Sequence, residues 1–351
     1  MSTILNPLRS STRSQTALLT LLLLAASVPD TSSAQTRHHR KPVAAAAPVT
    51  IPCGEGLELR LSSADSTQGS LLLAELRSTQ PITAIKADWN KHEVEFWRVT
   101  EPQPTSPATK SSAKPSAKST KNRPVTPPHE TWRALVGVDL EQPSGAYDLT
   151  IHPQISTATQ PACTASISVK AGHFETEKLT VQKQFVEPDP EQAARAAEEG
   201  TRLRALYDTI TPDRLWQGPF RVPLDGVTSG GNFGKRRVLN GTPRSPHTGV
   251  DFPAPTGTPI HASQRGKVVL AEPLYFSGNT VLIDHGLGVF TFYCHMVSID
   301  AKVGDLVEPG TLLGKVGATG RVTGPHLHWG LTIDHARVNP LQIVHMPQIA
   351  R

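Results

Sequence analysis

Aromatic residues make up only 5% of the 351 positions, which argues against an extended platform for stacking nucleobases. Cysteine is scarcer: Cys53, Cys163 and Cys294 are the whole complement. So few exclude a disulfide-dense scaffold, and their spacing offers no cysteine zinc site. Neither sign of charge dominates. The formal net charge is +5 at pH 7, which suits an anionic polymer or membrane surface. The excess is too small and too scattered to argue for nucleic acid. Past residue 28 no apolar run is long enough to cross a bilayer. What the chain has in quantity is turn-forming residues, 31 prolines and 26 glycines. They argue for β-structure and linkers over a helical bundle.

The N-terminus has the order of a secretory signal. Arg9 and Arg13 precede the apolar run Ala17 to Val28, and Ser32-Ser33-Ala34 follows as a small-residue cleavage site. Residues 1–34 are therefore expected to be removed on export, leaving no transmembrane span. No cysteine follows the run closely enough for a lipoprotein. The expected location is the periplasm or cell envelope, or the medium.

Residues 35–48 are expected to be disordered, and β-patterning begins at Val49. Leu57 to Leu61, Val94-Glu95-Phe96 and Ile167-Ser168-Val169 alternate with period two. Leu71 to Leu76, Trp132 to Leu140 and Tyr147 to Ile151 add further strands. The pattern predicts an immunoglobulin-like β-sandwich over 49–186. Within it, residues 101–128 lack large apolar side chains except Val125 and read as a disordered loop. Cys53 and Cys163 lie near the two ends of this segment, and either a disulfide or two free thiols fits the sequence. A helix over Glu191 to Ile210 forms a connector, 187–221. Residues 222–345, rich in Gly, Val and Thr, predict an antiparallel β-domain. The fold class expected is mainly β.

Two histidine motifs stand out in that last segment. His247 and Asp251 form a His-x-x-x-Asp, and His326 and His328 a His-x-His, with His295 between them. Residues two apart on a strand share a face, so His326 and His328 point together. Pro246, Gly249 and Pro253 argue against a helix at the first motif. An even spacing puts His247 and Asp251 on one side of an extended chain. One side of a sheet thus gathers histidines and a carboxylate, a donor set that suits zinc. Zinc held by three protein groups keeps a position open for water, and this permits amide hydrolysis without a serine or cysteine nucleophile. Each motif alone is weak evidence. His261, His285, His335 and His345 have no matching partner and read as structural or surface residues.

In order and context the motifs resemble the lysostaphin-type zinc metallopeptidases, which cut peptide cross-links in bacterial peptidoglycan. The likeness runs from about Gly226 to Leu341. It includes Ser245-Pro246-His247-Thr248-Gly249-Val250-Asp251-Phe252, Gly257-Thr258-Pro259, Gly278-Asn279-Thr280-Val281 and Ile283-Asp284-His285-Gly286. It ends in Gly317-Ala318-Thr319-Gly320-Arg321-Val322-Thr323-Gly324-Pro325-His326-Leu327-His328. The resemblance implies that His247, Asp251 and His328 bind one Zn2+ and that His295 and His326 are catalytic non-ligands. It implies a zinc endopeptidase with peptidoglycan as partner. The chain itself is expected to act as a monomer. The rival reading is an inactive homologue that activates a cell-wall amidase; a third is a wall-binding module. Two departures stand out. Cys294 replaces an often small residue and is expected to be a buried free thiol facing away from His295. The turn Ser229 to Gly234 is one residue longer than usual.

Overall fold

The computed structural model describes residues 47–99, 130–155, 158–227 and 230–346. The signal and the low-complexity loop expected at 1–34 and 101–128 lie outside these residues, as does nearly all of 35–48. The described chain is mainly β, with strands throughout and two α-helices, Pro190–Tyr207 and Leu341–Val344.

The N-terminal half builds two sheets around one core. In the first, strands Val49–Gly54, Leu57–Leu61, Leu71–Ser78, Glu130–Gly137 and Trp97–Arg98 lie side by side. The second runs Asp65–Thr67, Cys163–Lys170, Gly145–Ile155, Ile82–Trp89 and His92–Glu93, its first pair being parallel. Leu59, Leu61, Leu76 and Val136 of the first meet Ile151, Ala165, Ile167 and Trp89 of the second. The alternation of Val94 and Phe96 marks no strand. Those residues carry the chain between the sheets, and both bury their side chains in the crossing. Cys53 and Cys163 are joined as a disulfide across 110 residues, with Cα atoms 5.0 Å apart.

The run Leu71-Leu72-Leu73-Ala74 has no polar alternation because both its faces are covered. Leu72 and Ala74 enter the sandwich core, whereas Leu71, Leu73 and Leu135 pack into the core of the C-terminal half. Asp139 reinforces this junction. It accepts from Arg337 N and Nε, both at 2.9 Å, and from its Nη2 at 2.6 Å. Leu71 N also donates to Gln342 Oε1 at 2.7 Å.

The helix Pro190–Tyr207 starts where proline fixes its first turn and Asp189 accepts from Gln192 N at 2.8 Å. Leu203, Leu206 and Tyr207 pack on Leu270, Leu274, Leu282 and Phe290. They belong to the nine-stranded, antiparallel C-terminal sheet. Strands Gly249–Pro253, His326–Ile333, Val289–Ile299, Gly278–Asp284 and Gly266–Leu274 form its centre. In His326–Ile333 the odd positions Leu327, Trp329, Leu331 and Ile333 enter the core. His326 and His328 take the other face, of which the helix covers one end: Tyr207 meets Phe290 at 5.3 Å between ring centroids. The other end remains a groove.

Two stability predictions follow from these contacts. Replacing Cys53 and Cys163 together by Ser frees a long loop in the unfolded chain and should cost about 2–5 kcal/mol in denaturant unfolding. Asp139→Asn should cost about 1–2 kcal/mol at neutral pH, moderated by partial exposure of the pair. Burial opposes ionisation of Asp139, but the Arg337 hydrogen bonds outweigh it and hold its pKa below the ordinary value. The contribution is therefore complete above about pH 4 and disappears as pH falls through the folded-state value. Unfolding free energies of wild type and Asp139→Asn should accordingly converge in acid; a constant difference across pH would refute the ionic origin.

Candidate metal centre and active site

Gly249–Pro253 pairs antiparallel with His326–Ile333 so that Asp251 lies directly opposite His328. His247 precedes the strand and folds back toward both. One ligand atom from each of His247, Asp251 and His328 falls within 4.8 Å of the others. His247 Nε2 is 2.7 Å from His328 Nδ1, and each of these nitrogens is 3.0 Å from Asp251 Oδ1. The ring of His328 occupies the space over Gly249, where a Cβ would come within 2.7 Å of His328 Nε2. That close approach explains a glycine between the two first-motif donors.

Electrostatics favour a cation at the convergence. Burial works against ionisation of Asp251, but the imidazoles of His247 and His328 against it hold it far below the usual carboxylate range. Burial lowers the pKa of His328 to about 4 despite Asp251. His247 Nδ1 lies 2.8 Å from the carbonyl of Asn232, where only a donated N–H makes a hydrogen bond. Its Nε2 lone pair is thereby directed at His328 and Asp251. Two imidazole nitrogens and a carboxylate oxygen facing one point, with no lysine among them, fit a borderline divalent metal such as zinc.

The two other histidines flank this set. His295 Nδ1 is 2.8 Å from Thr319 O and His326 Nδ1 2.9 Å from Gly324 O. Each backbone oxygen accepts the Nδ1–H, which leaves both Nε2 atoms as acceptors. The rings lie 4.8 Å apart between centroids. Burial, then the neighbouring His328 and His326, push His295 down to about 3. His295 has a φ of +63°, the left-handed region, at an irregularity of its strand. Cys294 is buried and free, and burial raises its pKa well above the ordinary thiol value. His285 sits apart and fully buried, between Arg265 O at 2.8 Å and Thr291 Oγ1 at 2.7 Å.

Sequence reasoning missed several members of the site. Asn232, at φ +75°, supplies the carbonyl that orients His247 and an amide 3.5 Å from Asp251 Oδ2. Arg237 Nη2 stands 3.4 Å from the same oxygen. Thr319 and Gly324 orient the flanking histidines through their backbones, which no side-chain pattern reveals. Asn232 alone had a signal, an asparagine in a glycine-rich turn. The cleft beside these residues, about 230 Å³, is also walled by Glu177, Leu179 and Val181 of the connecting chain.

Residues 245–340 match the model of Peptidase family M23. The chain is 40% identical over 176 residues to the peptidoglycan DD-endopeptidase ShyA of Vibrio cholerae, covering 47% of this chain and 39% of ShyA. It is 42% identical over 97 residues to the DD-carboxypeptidase/endopeptidase Mpg of Neisseria meningitidis, covering 28% of this chain and 22% of Mpg. The chain thus spans less than half the length of these relatives. A crystal structure of a candidate peptidase M23 from Pseudomonas aeruginosa superimposes with a TM-score of 0.54 at 28% identity. That likeness covers 79% of this chain and 94% of the other, so it takes in the N-terminal β-layers as well as the histidine-bearing sheet. Through the segment that carries both histidine motifs, the chain belongs to peptidase family M23.

Proposed function

We propose that the protein is an exported zinc metalloendopeptidase, with one zinc ion per chain, that hydrolyses peptide bonds of peptidoglycan cross-links or stem peptides. His247, Asp251 and His328 are its ligands, and His295 and His326 are its catalytic groups. The observation that carries this reading is the convergence of all five side chains on one end of one sheet face. The complete set gives no support to an inactive amidase activator. The sandwich over 49–186, the connector over 187–221 and the peptidase over 222–345 are proposed as its working parts, with Thr176–Leu179, at the end of the first, already serving as linker by its pairing with Arg236–Leu239. Action outside the cytoplasm is supported by the Cys53–Cys163 disulfide and by the peptidoglycan named for ShyA. Among the described residues no helix is long and apolar enough to cross a membrane.

A zinc ion held by the three donors supplies Lewis acidity toward water and toward a scissile carbonyl. The protein's own work is orientation and proton handling. Thr319 O and Gly324 O fix the rings of His295 and His326 with Nε2 available. Between them the two imidazoles share removal of a proton from the attacking water and stabilisation of the oxyanion. Asn232 O keeps His247 in the tautomer that ligation needs.

Single substitutions separate ligation from catalysis. His328→Ala should lose zinc and activity together. His326→Ala and His295→Ala should keep close to one zinc per chain while hydrolysis falls by about 10²–10⁴-fold. His285→Ala, which removes a buried structural ring, should cost stability yet leave the folded protein with zinc and most of its activity. Metal-to-protein ratios and release of soluble fragments from purified cell wall read these outcomes. Loss of zinc in His326→Ala but not in His328→Ala would reverse the assignment within the pair. Full activity in all four variants would overturn the zinc-peptidase reading.

A further inference from the structure

The cleft beside the metal donors contains a cation that has no acidic partner among the described residues. Arg321 sits on the loop that leads into His326, and this loop is clamped to its neighbour. Arg321 N donates to Phe276 O at 2.8 Å. Gly320, at φ +76°, lies so close that a Cβ there would come 2.4 Å from Gly278 N. The guanidinium is stacked over Phe276, 4.6 Å from the ring centroid. It lines the same cleft as Arg237, Asp251, His295 and His326. Stacking explains where the side chain rests, but an uncharged residue would pack on Phe276 without the cost of a half-buried charge.

The surroundings raise that cost. Burial first, and then Arg237 and Arg244, lower Arg321 to about 10. The acids of the cleft are engaged elsewhere: Asp251 with His247, His328 and Arg237, and Glu177 with Lys235 at 3.3 Å. Arg237 Nε is itself buried without a hydrogen-bond partner among the described residues. Two guanidinium groups facing a cleft, with donors to spare and no described carboxylate for Arg321, make a site for a planar anion.

We propose that Arg321, backed by Arg237, is a specificity-determining anion subsite that binds a free carboxylate of the peptide substrate close to the scissile amide. The substrate class is thereby narrowed to acidic peptides with a carboxylate next to the bond that is cut. This inference rests on the peptidase reading above. Arg237 touches a proposed metal ligand, so Arg321 is the residue to vary.

The test uses the full zinc-loaded chain and two probes: a peptide-cross-linked muropeptide dimer, and the same dimer with the carboxylates flanking the cross-link amidated. Wild type should favour the free-acid dimer at least about 10-fold in kcat/KM. Arg321→Gln should lose about 10–100-fold on the free acid, chiefly through KM, and little on the amidated dimer. Arg321→Lys, which keeps the charge but not the fork, should fall between them. Zinc content and melting temperature should stay at wild-type values, and if Arg321→Gln fails to fold, Arg321→Lys decides on the same ratio. Equal cleavage of both dimers by wild type, or an equal loss on both in the variants, overturns the subsite while the peptidase reading stands. Cleavage of neither dimer by wild type overturns the peptidoglycan reading and the subsite with it.

Discussion

One carboxylate sets the terms for the C-terminal half. Asp251 is 9% exposed, with one oxygen against two imidazole nitrogens and the other facing Arg237 and Asn232. An ionised group so far from water is costly unless positive charge and hydrogen bonds surround it. Arg237 provides part of that charge from one side. From the other, His247 and His328 turn one ring nitrogen each toward it, and a cation held between the three would complete the compensation. The same three donors would be favourably placed around a cation, so that metal binding and local stability would be coupled.

Holding that arrangement requires strand register more than local chemistry. A slip of one residue between Gly249–Pro253 and His326–Ile333 would send His328 into the core and bring Leu327 or Trp329 to the groove. The register is held by burial of Leu327, Trp329, Leu331 and Ile333, each at most 1% exposed. Leu71, Leu73 and Leu135 of the N-terminal half pack into this same cluster. Strand Ala336–Val338, paired to His326–Ile333, carries the Arg337 that Asp139 grips. The sandwich thus buttresses the sheet on the face opposite the histidines, and its stability is transmitted to the floor of the site.

What was legible beforehand was what periodicity encodes. The alternation around His326 and His328 reports one face of a strand, and the structure places both at the groove. The fully apolar run Leu71 to Ala74 carried no facing information, because one strand serves two cores. Val94 to Phe96 alternates without being a strand, since a chain crossing between two layers also buries every second residue. The backbone carbonyls of Thr319 and Gly324 have no sequence signature, and that of Asn232 only the asparagine of a glycine-rich turn, although the three orient three of the four histidines at the site. Pairing of Cys53 with Cys163 was open in the sequence because proximity across 110 residues depends on the closed sandwich.

The connecting chain has a role that neither half reveals alone. Strand Thr176–Leu179 leaves the sandwich and pairs in parallel with Arg236–Leu239, the strand that carries Arg237. Glu177 engages Lys235, and Leu179 and Val181 face the cleft. The wall of the groove is therefore built partly from the linker. Farther along, Glu199 of the connector helix accepts from Tyr275 N at 2.7 Å, next to the Phe276 on which Arg321 rests. Displacing the linker would strip one wall from the cleft and loosen the support beneath Arg321, without touching His247, Asp251 or His328. The N-terminal half is thus coupled to the open side of the groove through this linker, whereas Asp251 and His328 are held by the register of the sheet itself.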